Sequence, residues 1–431
     1  MGCAEQLPAV PAQPTGTAIP VVVAATEPPP SQTPTSLPLP SHTPAPPSPS
    51  PAPAPSPTPI SMQLRQQIFT EVWTTIDENY LYPDFGGVDW NAVRAEFEPR
   101  VAQGSDEAFY QLIGAMVGRL GDDHSRFLPP SAAQREDALT SGREEQVGIG
   151  VIALPLSDGL LIQHVFPGSP AERAGLRPRD RIVAIDGRFY ARQELEGPEG
   201  STVRLTVVRP GAESRDVVIT RRRVEGRIAP IVRRLPGEIG YVSVTTLWVS
   251  DMDRQVTDAL AGLVADGALR GLVLDLRSNP GGWRSVLTGI LGHFVRGDVG
   301  SFTSRKGDVP LRIGPGAQPD LRGLPLVVLV DAGTASYAEL IAAVLQRQAG
   351  AVVVGAPTAG NTETIYSYEL SGGARLWVAQ EGFRLRDGSV IEGIGVQPDI
   401  AVLDDWTRFS EADDPGMDVA LGLLTRGAGG E

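Results

Sequence analysis

Lysine is nearly missing from this 431-residue chain: Lys306 stands alone among 37 basic residues that are otherwise arginine. Chemistry that needs an amine therefore has one candidate. Lys306 sits in the polar run Ser304-Arg305-Lys306-Gly307-Asp308, which reads as a solvated stretch. Cysteine is equally scarce; Cys3 alone excludes an internal disulfide framework and any cysteine-ligated metal site. Imidazole chemistry must draw on His42, His124, His164 or His293. No apolar run approaches the roughly 20 residues of a membrane-spanning helix. The 51 acidic residues outnumber the basic ones, giving a net charge of −14 that disfavours a nucleic-acid surface.

Proline is abundant but concentrated. From Pro28 to Pro59, 15 of 32 residues are proline and none is Asp, Glu, Lys or Arg. Such a segment cannot bury a core, so residues 1–60 are expected to be a disordered, extended tether. Residues 61–145 read as a small helical domain. Leu64, Ile68, Val72 and Ile76 recur at helical spacing, and a second helix starts at Ser105-Asp106-Glu107 and ends before Gly121. Asp122-Asp123-His124-Ser125-Arg126-Phe127-Leu128 follows as a loop. Residues 146–223 change to short alternating strands separated by Gly, Pro and Asp turns, as in a small barrel. Residues 224–405 alternate helices with apolar strands at 239–244, 272–276, 326–330 and 351–354. That pattern predicts a covered parallel sheet, whose ligands bind beyond the carboxyl ends of the strands. Residues 406–431 are expected to be a C-terminal tail.

Ser336 lies where the apolar strand 326–330 gives way, after Asp331-Ala332-Gly333, to a helix predicted over 338–346. A serine at that point can cap the helix. It can equally act as a nucleophile, because free N–H groups at a helix N-terminus stabilise an oxyanion. Position alone leaves both readings open.

Longer motifs bear on the choice. Gly148-Ile149-Gly150-Val151, Gly168-Ser169-Pro170-Ala171-Glu172-Arg173-Ala174-Gly175-Leu176 and Asp180-Arg181-Ile182-Val183-Ala184-Ile185-Asp186-Gly187, in that order, resemble a PDZ domain of bacterial proteases. The resemblance implies that a peptide adds as a strand beside Gly148, Ile149, Gly150 and Val151. Only residues 191–199 separate the Asp-Gly turn from the last strands, where the family has a longer helix as the groove's other wall. Asp275-Leu276-Arg277-Ser278-Asn279-Pro280-Gly281-Gly282, then Thr334-Ala335-Ser336 with Glu339, resembles the C-terminal processing peptidases and their tricorn-like relatives. Gly393-Ile394-Gly395-Val396-Gln397-Pro398-Asp399 extends the likeness.

That resemblance implies an α/β crotonase-like peptidase core with a helical N-terminal segment and an inserted PDZ domain. It implies Ser336 as nucleophile, with amides of Gly281 or Gly282 and of Tyr337 as the oxyanion site. Processing peptidases of the common type take a lysine from a Gly-x-Pro-Thr-x-Gly-Lys loop as base. Here the loop reads Gly355-Ala356-Pro357-Thr358-Ala359-Gly360-Asn361, so Asn361 can only orient groups or bind substrate. The tricorn-like branch uses a histidine from the helical segment, which matches His124, oriented by a glutamate that best matches Glu392. Glu363 and Glu381 are further candidates for that glutamate, and Glu339 is expected to support the turn. A Gly-Cys pair before a Pro/Ser/Thr tether resembles a bacterial lipoprotein start, making Cys3 the expected lipid anchor of an extracytoplasmic enzyme. The resulting expectation is a serine endopeptidase acting on unstructured polypeptide, with no cofactor, metal or nucleic-acid partner. A catalytically inactive peptide-binding scaffold and a binder of another ligand on the same fold are the alternatives.

Overall fold

The computed structural model describes residues 59–140, 143–189 and 195–426. The proline-rich segment and Cys3 lie outside them, as does His42. The first helix is Met62–Asn79, and Ser61 Oγ accepts the Leu64 N–H at 3.2 Å as its cap. Its buried stripe of Ile68, Phe69, Val72 and Ile76 packs with Phe109, Ile113 and Met116 of helix Asp106–Val117. Burying each such side chain contributes roughly 2 kcal/mol. This cluster also takes in Leu376, Val378 and Ala379 of strand Arg375–Leu385. The helical segment thus shares a buried cluster with that strand.

The core's main sheet runs Ile231–Leu235, Ile239–Ser243, Gly271–Asp275, Leu326–Val330, Val352–Gly355 and Ile400–Ala401, parallel after the first antiparallel pair. Helices Met252–Ala265, Arg284–Leu291 and Tyr337–Gln348 contribute to the core on one face. Helix Pro415–Arg426 covers the other through Ala420 and Leu424. The segment expected as a tail thus ends in a helix, because its apolar residues recur at helical spacing and complete the sheet's second face. A second sheet, not anticipated from the pattern, joins Arg126–Leu128, Arg375–Leu385, Gly297–Thr303 and Val309–Ile313, with Thr364–Glu369 also paired to Arg375–Leu385.

The expected short strands appear as Val151–Leu156, Gly159–Val165, Arg181–Ile185, Thr202–Val208 and Arg215–Thr220, an antiparallel sheet in that order rather than a closed barrel. Arg143–Gly148 and Arg222–Arg227 pair as a two-stranded ribbon at its entry and exit. Its Arg179 donates to buried Asp414 at 2.7 Å, and Asp414 also pairs with Arg277 of the core at 2.9 Å.

Candidate active site

Three loops meet at the carboxyl edge of the parallel strands and are tied to one another by backbone bonds. In the loop after Gly271–Asp275, the fully buried Asn279 donates Nδ2 to Val244 O at 2.7 Å. Its Oδ1 accepts the Gly281 N–H at 2.8 Å, and its carbonyl accepts Ala335 N–H at 2.9 Å. The Gly281 amide is thus consumed inside an Asx turn. In the second loop Ser336 caps helix Tyr337–Gln348 with φ 55° and ψ −131°. This non-glycine left-handed backbone costs of order 1–3 kcal/mol and persists only where its surroundings hold it. They do: Ser336 N–H donates to Asn361 O at 2.7 Å and to Glu339 Oε2 at 3.0 Å. A Cβ on Gly281, whose φ is 85°, would lie 2.6 Å from Ser336 Cβ, so only glycine allows this approach.

Glu339 organises the third loop as well. It accepts Thr358 Oγ1 at 2.5 Å, Gly360 N–H at 2.7 Å and Asn361 N–H at 3.0 Å. Burial pushes its carboxyl above the usual range, and these donors oppose that rise. Glu339 supports the turn, as expected of it. Asn361 meets Ser336 through its backbone. The amides of Gly282 and Tyr337 make no hydrogen bond among the described residues.

The histidine arrives from the other side. Asp122 Oδ1 accepts the N–H groups of His124 and Ser125 at 2.8 and 2.5 Å, fixing the loop that carries the ring. Ala379 N–H donates to Ser125 Oγ at 3.2 Å, and Arg126–Leu128 pairs with Arg375–Leu385. His124 Nδ1 lies 3.3 Å from Glu363 Oε2, and Glu363 Oε1 accepts the Tyr82 hydroxyl. Burial raises the Glu363 carboxyl; Tyr82 and His124 counter it, while Glu392 and Asp122 add to it. His124 Nε2 is buried without a hydrogen-bond partner among the described residues. No hydrogen bond joins it to Ser336.

Glu392 does not make the contact expected of it. Its Oε2 accepts the N–H and hydroxyl of Thr362 at 2.5 and 2.8 Å, and the carboxylate against His124 is Glu363. Glu381 pairs instead with Arg284, which also donates to the Tyr337 hydroxyl at 3.2 Å. Lys306 Nζ donates to Asn79 Oδ1 at 2.8 Å on the surface. His293 is buried between Pro319 O and Thr257 Oγ1, and His164 lies in strand Gly159–Val165 against Phe166.

Ser336, His124, Gly282, Tyr337 and Asn361 all line one cavity of about 890 Å³. On the side of strand Val151–Leu156 its wall is residues 152–155 with Gln163, and does not include Gly148, Ile149, Gly150 or Val151. In that preceding segment the Ile149 and Gly150 carbonyls accept Ala171 and Phe166 N–H, and Gly148 bridges Glu196. Trp248, Trp283 and Trp377 form an aromatic wall that the sequence reading passed over, with Trp248 edge-on to the other two at 5.1 and 5.7 Å. Their distance along the chain hid them. Among the described residues no group of three or more His, Cys, Asp or Glu could hold a metal ion, and no helix is long and apolar enough to cross a membrane.

Comparison with known proteins agrees with this architecture. The profile of peptidase family S41 matches residues 238–402, the tricorn protease C1 domain residues 63–118, and a PDZ domain residues 162–209. The chain is 32% identical over 370 residues to the chloroplastic carboxyl-terminal-processing peptidase 2 of Arabidopsis thaliana, covering 80% of this chain and 70% of the relative. It is 30% identical over 379 residues to the carboxyl-terminal-processing protease of Synechocystis sp., covering 84% and 87%. Among solved structures, the photosystem II D1 C-terminal processing protease matches with a TM-score of 0.56 and 27% identity, over 79% of this chain and 94% of that one. Fold and relatives define a serine-type peptidase that carries a PDZ domain. The chain belongs to the carboxyl-terminal-processing proteases of peptidase family S41.

Proposed function

We propose that this peptidase is an endopeptidase cleaving unstructured polypeptides, with Ser336 as nucleophile and His124 as general base. The observation that carries the reading is the shared cavity: a serine held at φ 55° on a helix N-terminus, and a buried imidazole whose Nε2 has no partner among the described residues. Glu363 against Nδ1 keeps a proton there and leaves Nε2 basic. Ser336 Oγ attacks the peptide carbonyl carbon as Nε2 takes its proton. The tetrahedral oxyanion is held by the Gly282 and Tyr337 amides; Gly281 drops out because Asn279 occupies its N–H. Collapse passes the proton from His124 to the leaving amine, and water then hydrolyses the acyl-enzyme by the reverse route. Asn361 serves the site by its backbone, and no lysine takes part.

The relatives' names specify carboxyl-terminal processing, and for this chain we extend the reading to cleavage near C-termini. Residues 148–151 of the PDZ domain are the proposed secondary peptide contact. Extracytoplasmic work, tethered by lipid on Cys3, completes the proposal; an unmodified Cys3 in protein extracted from native membranes would remove the tether. The rival reading, an inactive peptide-binding scaffold, draws on the missing hydrogen bond between Ser336 and His124. Casein hydrolysis decides between them. Activity in the wild type that disappears in Ser336→Ala supports the peptidase mechanism, and full activity in Ser336→Ala refutes it.

A further inference from the structure

Beyond the first helix, Tyr80-Leu81-Tyr82 runs onto the core, where Leu81 N–H donates to Ala379 O at 2.8 Å. That anchor brings the Tyr82 hydroxyl to Glu363 Oε1. The Glu363 carboxylate is only 5% exposed, and its other oxygen has no partner among the described residues beyond His124 Nδ1 at 3.3 Å. Two groups, Tyr82 and His124, therefore favour its charge. Asp122 and Glu392 face it with like charge, and Tyr80 lies beside Asp122. A carboxylate placed between two others in a dry setting tends to take up a proton or turn away. Either event would release His124.

We propose that Tyr82 is a positioning residue for the peptidase reaction: its hydroxyl donates to Glu363 Oε1 and so holds that carboxyl group against His124 Nδ1. The inference rests on the reading of His124 as general base. It adds a group from the helical segment that touches neither substrate nor Ser336. Its action is exerted through Glu363. The same bond ties the helical segment to the core at the point where the base and its orienting group meet. Readiness of the base thus depends on a hydroxyl that the docked helical segment supplies.

The test is the pH profile of kcat/KM for a fluorogenic peptide, taken for wild type, Tyr82→Phe, Glu363→Gln and the double variant. Tyr82→Phe removes one oxygen and keeps the ring. It is expected to lower kcat/KM roughly tenfold near neutral pH, mainly through kcat, as loss of a hydrogen bond to a buried charge does. The sign of the pH effect follows from the donor's role. Losing a donor to the ionised form raises the Glu363 pKa, so the acid limb of the profile moves to higher pH. In the Glu363→Gln background, Tyr82→Phe is expected to change kcat/KM less than about twofold and to move no limb. A Tyr82→Phe enzyme that loses activity with an unmoved acid limb would make Tyr82 a packing residue and overturn the proposal. So would a wild-type profile in Tyr82→Phe beside an impaired Glu363→Gln, which would leave the Glu363–His124 pairing standing. Wild-type behaviour in both Glu363→Gln and His124→Ala would instead remove the underlying reading, and this inference with it.

Discussion

Around Ser336, the single carboxylate of Glu339 accepts four hydrogen bonds and the Gly281 turn is closed by Asn279. Around His124, the buried Nε2 has no hydrogen-bond partner among the described residues, and Glu363 Oε2 has only the contact with Nδ1 at 3.3 Å. The two halves also differ in origin. The nucleophile half comes from consecutive loops of one parallel sheet, so its geometry is fixed by the core. The base half is assembled from Tyr82, His124 and Glu363, contributed by two segments of the helical region and one of the core. A saturated half suits a strained serine that must not relax. An unsaturated half suits a group whose partner is the incoming reaction itself, because proton transfer needs a vacant lone pair.

Substitutions can break this contrast, starting with the strongest. Ser336→Ala should abolish casein hydrolysis, by about four orders of magnitude or more, with the melting temperature nearly unchanged. His124→Ala should lower kcat by about 10³-fold with KM little altered, because it removes the base but none of the bonds that hold Ser336. Glu339→Gln should act on the saturated half. Its amide nitrogen cannot accept from Ser336, Gly360 or Asn361, so one donor is left facing another. We expect a loss of about 1–3 kcal/mol of stability in denaturant unfolding, together with reduced kcat. Asn361→Ala and Lys306→Ala should each retain activity within about threefold. Asn361 serves Ser336 through its carbonyl and Glu339 through its N–H, while Lys306 binds Asn79 on the surface. A large loss in Lys306→Ala would point to an amine in the mechanism and undo the distinction between the halves.

The same contrast explains what could be read from the chain alone. The Ser336 turn was legible because strand, breaker and helix are contiguous, and because Asn279-Pro280-Gly281-Gly282 stands on the neighbouring strand's loop. The Asx signature in that motif also carried the fate of the Gly281 amide, since an Asn two residues before a glycine commonly takes its N–H. The partner of His124 was not legible. Glu363 and Glu392 both lie downstream of Ser336, and side-chain contacts invisible in the sequence separate them. Thr362 captures Glu392, leaving Glu363 against His124. The second sheet was missed because Gly297–Thr303 and Arg375–Leu385 contain glycines that break alternation. Helix Pro415–Arg426 did carry a signal, in Met417, Ala420 and Leu424 at helical spacing after a first-position proline.

The most direct measurement is the second-order rate at which a fluorophosphonate labels Ser336 in wild type and in His124→Ala. The account predicts labelling of the wild type at Ser336 and a rate about 100-fold lower in His124→Ala, because the imidazole from the unsaturated half activates the hydroxyl of the saturated one. Equal rates in the two proteins would contradict it.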